Sequence, residues 1–239
     1  MNKRQRITGL MAGLLVFSAI MIVLAGCGVA GDTNGVDGED GGKNGVKELE
    51  AVEVRQYEGK NLSSVNDFRE NSIKGPQYVD IENYRLTVGG LVEKPKSYEY
   101  DQIIDDYQSY NKVLTLDCVE GWSATILWEG MLVRELIAAS GILPEAKVVI
   151  FHAYDGYTTS FPIEYIMGND IMMAYKMNDI DLPAKRGYPF QLVAESKWGY
   201  KWIRWITEIE LSDDEDYRGF WESRGYSNTG DLDKGFFSD

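Results

Sequence analysis

Short apolar runs bounded by turn residues dominate the chain between residues 84 and 211. Runs of this length predict strands rather than helices. The predicted strands span residues 84–92, 112–118, 147–153, 190–195 and 201–211. Because no regular strand–helix–strand rhythm links them, the pattern predicts an α+β, strand-rich single domain with mixed or antiparallel sheets.

Two segments carry the clearest periodicity. Residues 131–141 repeat apolar side chains at helical spacing, and Gly141 is predicted to end this helix. Residues 201–211 instead alternate as in a strand with one buried face. The apolar face would consist of Ile203, Trp205, Ile209 and Leu211. The polar face would consist of Arg204, Glu208 and Glu210.

The first 26 residues have a different organisation. Lys3, Arg4 and Arg6 precede an apolar run over residues 7–24, as in an export signal. The run ends in Leu24-Ala25-Gly26-Cys27, which resembles the lipobox of bacterial lipoproteins. A transmembrane anchor is the alternative, but the glycines within the run disfavour it. We therefore predict a signal peptide over residues 1–26 and lipidation of Cys27.

A Gly- and Asp-rich stretch follows the signal. Residues 27–48 carry too few apolar side chains to form a core, so a flexible tether is predicted, with the domain over residues 49–239. The formal net charge is −14, which argues against nucleic acid or anionic lipid headgroups as partners. The predicted location is the extracytoplasmic face of the cell membrane, reached through the lipid on Cys27.

Cysteine use raises a chemical question. The chain has two cysteines, and acylation of Cys27 would leave Cys118 without a disulfide partner. A lone thiol in an oxidising compartment is prone to oxidation unless it is buried or bound to a ligand. An inert buried cysteine is one interpretation, and a metal ligand is another.

Other catalytic centres have little support. The single histidine, His152, lies in an apolar run, so an all-protein zinc site and a serine triad are disfavoured. Aromatic residues, however, crowd the Gly-containing turns near Cys118 and predict a walled pocket. They are Trp122, Trp128, Tyr157, Trp198, Tyr200, Trp202 and Trp205.

The segment "LDCVEGWSATILWEGMLVRELI" around Cys118 resembles the cysteine segment of the sulfite-oxidase-type molybdopterin oxidoreductases. The resemblance extends, in order, from about residue 66 to residue 227. It includes "YRLTVGGLVEKP", "DGYTTSFPIEYI", "AYKMNDIDLPAKRGYPFQLVAESKWGYKWIRWITEIEL" and "GFWESRGYS". It implies the family's molybdopterin-binding fold and a molybdenum cofactor.

Roles for several residues are implied by this resemblance. Cys118 matches the cysteine whose thiolate ligates molybdenum, a soft ligand for a metal also held by dithiolene sulfurs. Tyr157 matches a tyrosine that faces the oxo or hydroxo ligand of the metal and donates a hydrogen bond to it. Further cofactor contacts are implied for Asn71, Arg186, Gln191, Lys201, Trp202, Ile203 and Arg204. Lys201 and Arg204 would supply charge to the pterin phosphate.

One departure from the family pattern bears on the substrate. Gln191 stands where the family usually has an arginine, so the amide retains hydrogen bonding but lacks the charge that favours a sulfite dianion.

The resemblance implies two-electron oxygen-atom transfer to or from a small oxyanion, sulfoxide or N-oxide. The chain lacks the motifs and ligands for a haem or an iron–sulfur cluster, so a membrane-associated redox partner is predicted. A non-enzymatic lipoprotein that uses the same fold as a binding module is the alternative. A thiol enzyme with Cys118 as nucleophile and His152 as base is a third interpretation.

Overall fold

Residues 52–237 are described by a computed structural model of the chain. The predicted signal peptide, Cys27 and the whole of the predicted tether lie outside these residues. The α-helices of this part are short: α1 is Tyr100–Asp106, α2 is Val133–Ser140 and α3 is Ile163–Gly168. None of its helices is long and apolar enough to cross a membrane.

Strands form most of the regular structure. In chain order they are β1 (Gln56–Tyr57), β2 (Lys60–Asn61), β3 (Leu86–Gly90), β4 (Lys96–Tyr98), β5 (Tyr110–Asp117), β6 (Ser123–Leu132), β7 (Val148–Ala153), β8 (Thr158–Pro162), β9 (Met172–Met177), β10 (Ile180–Asp181), β11 (Gln191–Val193) and β12 (Ile206–Ser212).

Two five-stranded sheets carry the domain, and β1 and β2 form a separate hairpin. The first sheet has the order β10-β9-β6-β5, with β11 also paired to β9, and all its pairs are antiparallel. The second has the order β4-β3-β12-β7-β8, in which only β12 and β3 are parallel. The predicted α+β, strand-rich class is confirmed.

The core contains apolar side chains from both sheets. Ile126 of β6, Phe151 of β7 and Ile209 of β12 belong to one buried cluster. Strand β7 is nearly continuous in apolar residues because it lies inside its sheet, between β12 and β8. This packing gives the loops that leave the two sheets a fixed base.

The long β5–β6 hairpin positions Cys118. Its ladder is regular from the Tyr110–Gly130 pair to the Asp117–Ser123 pair, and Cys118 is the first residue of the connecting loop. The apolar side chains of β5 and β6 fix the register, since a slip of one residue would turn every side chain to the opposite face. The thiol is therefore held by the most extensive ladder of the first sheet.

The prediction of a continuous strand over residues 201–211 was wrong in its first half. A 3-10 turn occupies Gly199–Lys201, and β12 begins only at Ile206. Trp205 lies between them with φ of 55°, a conformation that interrupts an extended strand. Its indole Nε1 donates a hydrogen bond to the Ala184 carbonyl, 2.7 Å away, which holds it there.

Candidate active site

A tight loop presents Cys118 to the interior. The Cys118 amide donates to the Trp122 carbonyl at 2.9 Å, and the Gly121 amide donates to the Cys118 carbonyl at 3.0 Å. Gly121 has φ of 80°, which glycine adopts without a steric penalty. Cys118 itself is only 6% exposed. Burial raises the thiol pKa and the Glu120 carboxylate adds to this, while Arg204 and Arg69 act in the opposite direction.

A cavity of about 170 Å³ lies beside this loop. Asn71, Tyr157, Gln191 and Arg204 line it together with Cys118. Arg186, Trp202 and Ile203 line it as well. The structure thus brings together every predicted cofactor or catalytic residue except Lys201.

Asn71 connects Cys118 to the cationic side of the cavity. Its Nδ2 lies 3.7 Å from Cys118 Sγ, and its Oδ1 accepts a hydrogen bond from Arg204 Nη2 at 3.2 Å. Because the amide donates toward sulfur, it favours the thiolate over the thiol.

The charge of Arg204 is partly compensated. Its Nη1 lies 3.3 Å from Glu70 Oε2, and its guanidinium carbon lies 4.7 Å from the Trp205 ring centroid. Burial alone would raise the pKa of Glu70, but a hydrogen bond from Ser72 and the charge of Arg204 outweigh it and lower the pKa. The carboxylate therefore stays ionised next to the cavity.

Arg186 has an unsatisfied donor. Its Nε and Nη2 donate to the carbonyls of Val65 and Phe68, both at 2.9 Å. Its Nη1 is buried and has no hydrogen-bond partner within the described chain. Burial, with Arg204 nearby, lowers the pKa of this guanidinium to about 10. A buried cationic donor without an acceptor is costly unless an anionic ligand supplies one.

Two glycines allow the backbone to come close to the cavity residues. A Cβ on Gly187, which has φ of 117°, would lie 3.1 Å from both Arg204 Cγ and Gln191 Cβ. A Cβ on Gly199 would lie 3.0 Å from Leu116 Cδ2 and 3.5 Å from Cys118 Cα. A side chain at either position would displace residues that line the cavity.

Tyr157 lines the cavity, and its hydroxyl has an acceptor within the protein. The hydroxyl donates to the Tyr200 carbonyl at 2.5 Å. Burial, followed by the charge of Glu222, raises its pKa well above the ordinary value, so the phenol is neutral. The predicted hydrogen bond to a metal ligand stays a prediction and requires the hydroxyl to turn away from Tyr200.

Lys201 departs from its predicted role in binding the phosphate. Its Nζ lies 2.7 Å from Glu222 Oε1, and both side chains are fully buried. The residue does not line the cavity, because its ammonium points into the interior toward this carboxylate. Trp202 lines the cavity, and its indole Nε1 donates to the Lys197 carbonyl at 2.9 Å.

Gln191 and Ile203 are positioned by a short antiparallel contact. Gln191 forms a bridge with Arg204, and the Leu192 amide donates to the Ile203 carbonyl at 2.9 Å. This contact joins β11 to the segment before β12, and it places an uncharged amide and an arginine on the same side of the cavity.

The thiol-enzyme interpretation receives no geometric support. His152 is on β7, and its Nε2 lies 2.8 Å from Glu210 Oε2 on the neighbouring β12. It does not line the Cys118 cavity, so it cannot serve there as the base.

Sequence reasoning missed several cavity residues. Phe68 and Arg69 come from the segment before β3, and Trp221 and Tyr226 come from the segment after β12. The last two lie in the "GFWESRGYS" block, but nothing in its local pattern indicates contact with Cys118.

Residues 73–221 match the family described as the oxidoreductase molybdopterin binding domain. The chain belongs to this family. Its members are oxidoreductases that bind molybdopterin, so the predicted enzyme class and the molybdenum cofactor are confirmed.

Relatives and a solved structure agree with the assignment. The uncharacterized oxidoreductase YuiH of Bacillus subtilis is 32% identical over 159 residues, 65% of this chain and 78% of YuiH. The protein-methionine-sulfoxide reductase catalytic subunit MsrP of Xanthomonas axonopodis pv. citri is 27% identical over 173 residues. That alignment covers 64% of this chain and 54% of MsrP. The crystal structure of the sulfane dehydrogenase SoxCD from Paracoccus pantotrophus has a TM-score of 0.58 at 21% identity. This comparison covers 83% of this chain and 59% of the SoxCD chain, and it shows the fold.

The residues present fit the family's cofactor. Cys118 offers one soft ligand, and no group of three or more His, Cys, Asp or Glu side chains among residues 52–237 could hold a metal alone. The resemblance implies that the remaining metal ligands come from the pterin dithiolene. The unpartnered Nη1 of Arg186 would be available as a donor to the anionic pterin.

Proposed function

We propose that this protein catalyses two-electron oxygen-atom transfer on a small, uncharged sulfoxide or N-oxide, as a lipoprotein outside the cytoplasmic membrane. The observation that carries the proposal is the shared cavity of Cys118 and the unpartnered donor of Arg186. When bound, the molybdenum cofactor supplies a two-electron redox couple and accepts or donates the oxygen atom. In the reductive direction, substrate, two electrons and two protons give the deoxygenated product and water.

The protein's residues would prepare the site in three ways. Cys118 would release its proton on binding the metal, and the Asn71 amide would stabilise the resulting thiolate. Arg186 would pair with the anionic pterin. The Tyr157 hydroxyl would hold a proton next to the reacting oxygen atom, since its high pKa keeps the phenol protonated.

The surroundings of Gln191 and Arg204 support an uncharged substrate. Gln191 is buried and neutral, and Glu70 offsets the charge of Arg204. Trp122, Trp221 and Tyr226 also line the cavity. A polar S–O or N–O bond on an apolar molecule suits such a cavity better than a dianion. The similarity to a methionine-sulfoxide reductase subunit supports the same substrate class.

The substrate class is tested with the holoenzyme and an artificial electron donor or acceptor. We expect turnover of methionine sulfoxide or trimethylamine N-oxide and little oxidation of sulfite. In the Gln191→Arg variant, kcat/KM should shift toward sulfite, because the variant adds a cation to the cavity wall. Efficient sulfite oxidation by the wild type, without reduction of either oxide, would contradict the proposed substrate.

Electron exchange would use a membrane-associated redox protein. We infer this partner from the lipid predicted on Cys27 and from the residues 27–48 that would tether the domain to the membrane. A Cys27→Ser variant should lose turnover with membranes as electron donor while keeping turnover with a dye. Equal turnover of variant and wild type with both donors would argue against the membrane partner.

A further inference from the structure

The segment after β12 forms one side of the cavity. We call residues 219–230 the wall segment, because its Trp221 and Tyr226 line the cavity that contains Cys118. A 3-10 turn, Glu222–Arg224, is its only regular structure within the described chain. Something other than secondary structure must therefore hold the two aromatic rings in place.

Lys201 makes that connection. Its Nζ donates to the Ser160 carbonyl at 2.7 Å, to Glu222 Oε1 at 2.7 Å and to the Asn228 carbonyl at 2.9 Å. An ammonium group has three donors, so these acceptors use all of them. One acceptor belongs to β8 and the other two belong to the wall segment, and the ammonium joins them away from solvent.

Close packing adds to these hydrogen bonds. Gly230 has φ of 64°, and a Cβ there would lie 2.7 Å from Lys201 Cγ. The wall segment therefore rests directly on the aliphatic part of the lysine. Glu222 Oε1 also accepts a hydrogen bond from Thr159 Oγ1 at 2.5 Å, which fixes the carboxylate against β8.

The turn that contains Lys201 also contacts the reactive side chains. The preceding residue, Tyr200, accepts the Tyr157 hydroxyl on its carbonyl and donates its own hydroxyl to the Ser227 carbonyl at 2.8 Å. Gly199, at the start of the turn, packs against Cys118. A shift of this turn would move the wall segment and the surroundings of both catalytic candidates together.

We propose that Lys201 is a positioning residue: its buried pair with Glu222 fastens the wall segment over the cavity and so shields Cys118. This role rests on the proposed function only in that the cavity is the cofactor site. The positioning role takes the place of the phosphate contact expected for Lys201. Through it, Lys201 would hold Trp221 and Tyr226 in the site although Lys201 does not itself line the cavity.

The test compares full-length Lys201→Met with wild type, both produced in cells that make no molybdenum cofactor. Two rates are measured: amide hydrogen exchange in residues 219–230, and alkylation of Cys118 by iodoacetamide. Both should rise at least tenfold in the variant, because the wall segment would open more often. The control is Ile166→Ala, a change in the core at α3 that does not touch the cavity. The two variants are compared under conditions in which their free energies of unfolding are equal.

Two further variants make the outcome decisive. If Lys201→Met does not fold, Glu222→Gln tests the same pair with nearly unchanged shape, and the same tenfold increases are expected. The double variant Lys201→Met/Glu222→Leu removes both buried charges, so its global stability should return toward that of the wild type. Its hydrogen-exchange and alkylation rates should nevertheless stay high, because the wall segment is still unfastened.

The proposal would be overturned by wild-type rates in the variant that folds, by a rise in only one rate, or by equal rises in Ile166→Ala. Wild-type rates in the double variant would overturn it as well. A wild-type protein that takes up no molybdenum would instead contradict the proposed function and leave this result unaffected.

Discussion

The side-chain amide of Asn71 lies 3.7 Å, through its Nδ2, from the sulfur of Cys118. The two residues come from distant parts of the sequence, and both line the cavity. Because the Asn71 carbonyl oxygen also accepts from Arg204, the amide nitrogen is directed toward the sulfur. This relationship orients a donor toward the atom predicted to bind the metal.

Replacing Asn71 by Ala should weaken cofactor binding without unfolding the protein. A hydrogen bond to a charged group contributes about 1.5–3 kcal/mol, which is roughly tenfold or more in affinity. Asn71 is exposed, so the free energy of unfolding without cofactor should change by less than about 0.5 kcal/mol. Molybdenum content after dialysis and urea unfolding measure the two effects. Full molybdenum retention in the variant would show that the contact is incidental.

Arg186→Met should remove much of the stability gained on cofactor binding. If Arg186 binds the cofactor, its unpartnered Nη1 gains an acceptor when the anionic pterin is present, and a ligand that binds the folded state raises Tm. The difference in Tm between the loaded and unloaded protein should therefore shrink in this variant. Arg134→Met, which breaks a surface pair with Asp170, is the matched control and should keep the wild-type difference. An unchanged difference in Arg186→Met would exclude this residue from the site.

The pH dependence of Cys118 alkylation in the metal-free protein should have a midpoint above the ordinary thiol pKa of about 8.5. Burial is the main cause of the raised pKa, and Arg204 opposes it while Glu120 adds to it. The midpoint should therefore rise further in Arg204→Gln and fall in Glu120→Gln. Because the folded state holds this proton more tightly, the free energy of unfolding should decrease as pH rises from the ordinary thiol pKa to the raised one. Shifts of the same sign in both variants would contradict this assignment of charges.

Tyr157→Phe should separate catalysis from folding. The variant loses one hydrogen bond to the Tyr200 carbonyl, which costs about 1 kcal/mol of stability. If the hydroxyl handles the proton of the reaction, kcat should fall roughly 100-fold or more while molybdenum content stays at the wild-type level. A loss of stability with unchanged kcat would assign Tyr157 a structural role only.

The sequence contained enough information for the fold class and for the position of Cys118. The apolar run that ends at Asp117 and the Glu-Gly-Trp turn after it correctly placed the cysteine at the end of a strand. The alternation in residues 201–211 was misleading in its first half, because Ile203 and Trp205 are buried in an irregular segment rather than along a strand.

The partners of individual side chains were harder to predict. Lys201 and Arg204 look equivalent in sequence, yet one ammonium is buried against Glu222 and the other cation lines the cavity. Trp221 and Tyr226 reach the cavity because the wall segment packs on the Gly199–Lys201 turn. Such long-range contacts leave no local periodicity in the chain.

Molybdenum content tests the central claim most directly, namely that Cys118 holds the family's cofactor in this cavity. Wild type and Cys118→Ser are produced side by side in cells that make the cofactor, and both are shown to be folded by circular dichroism. Elemental analysis of the wild type should give close to one molybdenum per chain, and analysis of Cys118→Ser should give little or none. A wild-type protein that is folded but empty, or a serine variant that retains the full amount of molybdenum, would contradict the claim.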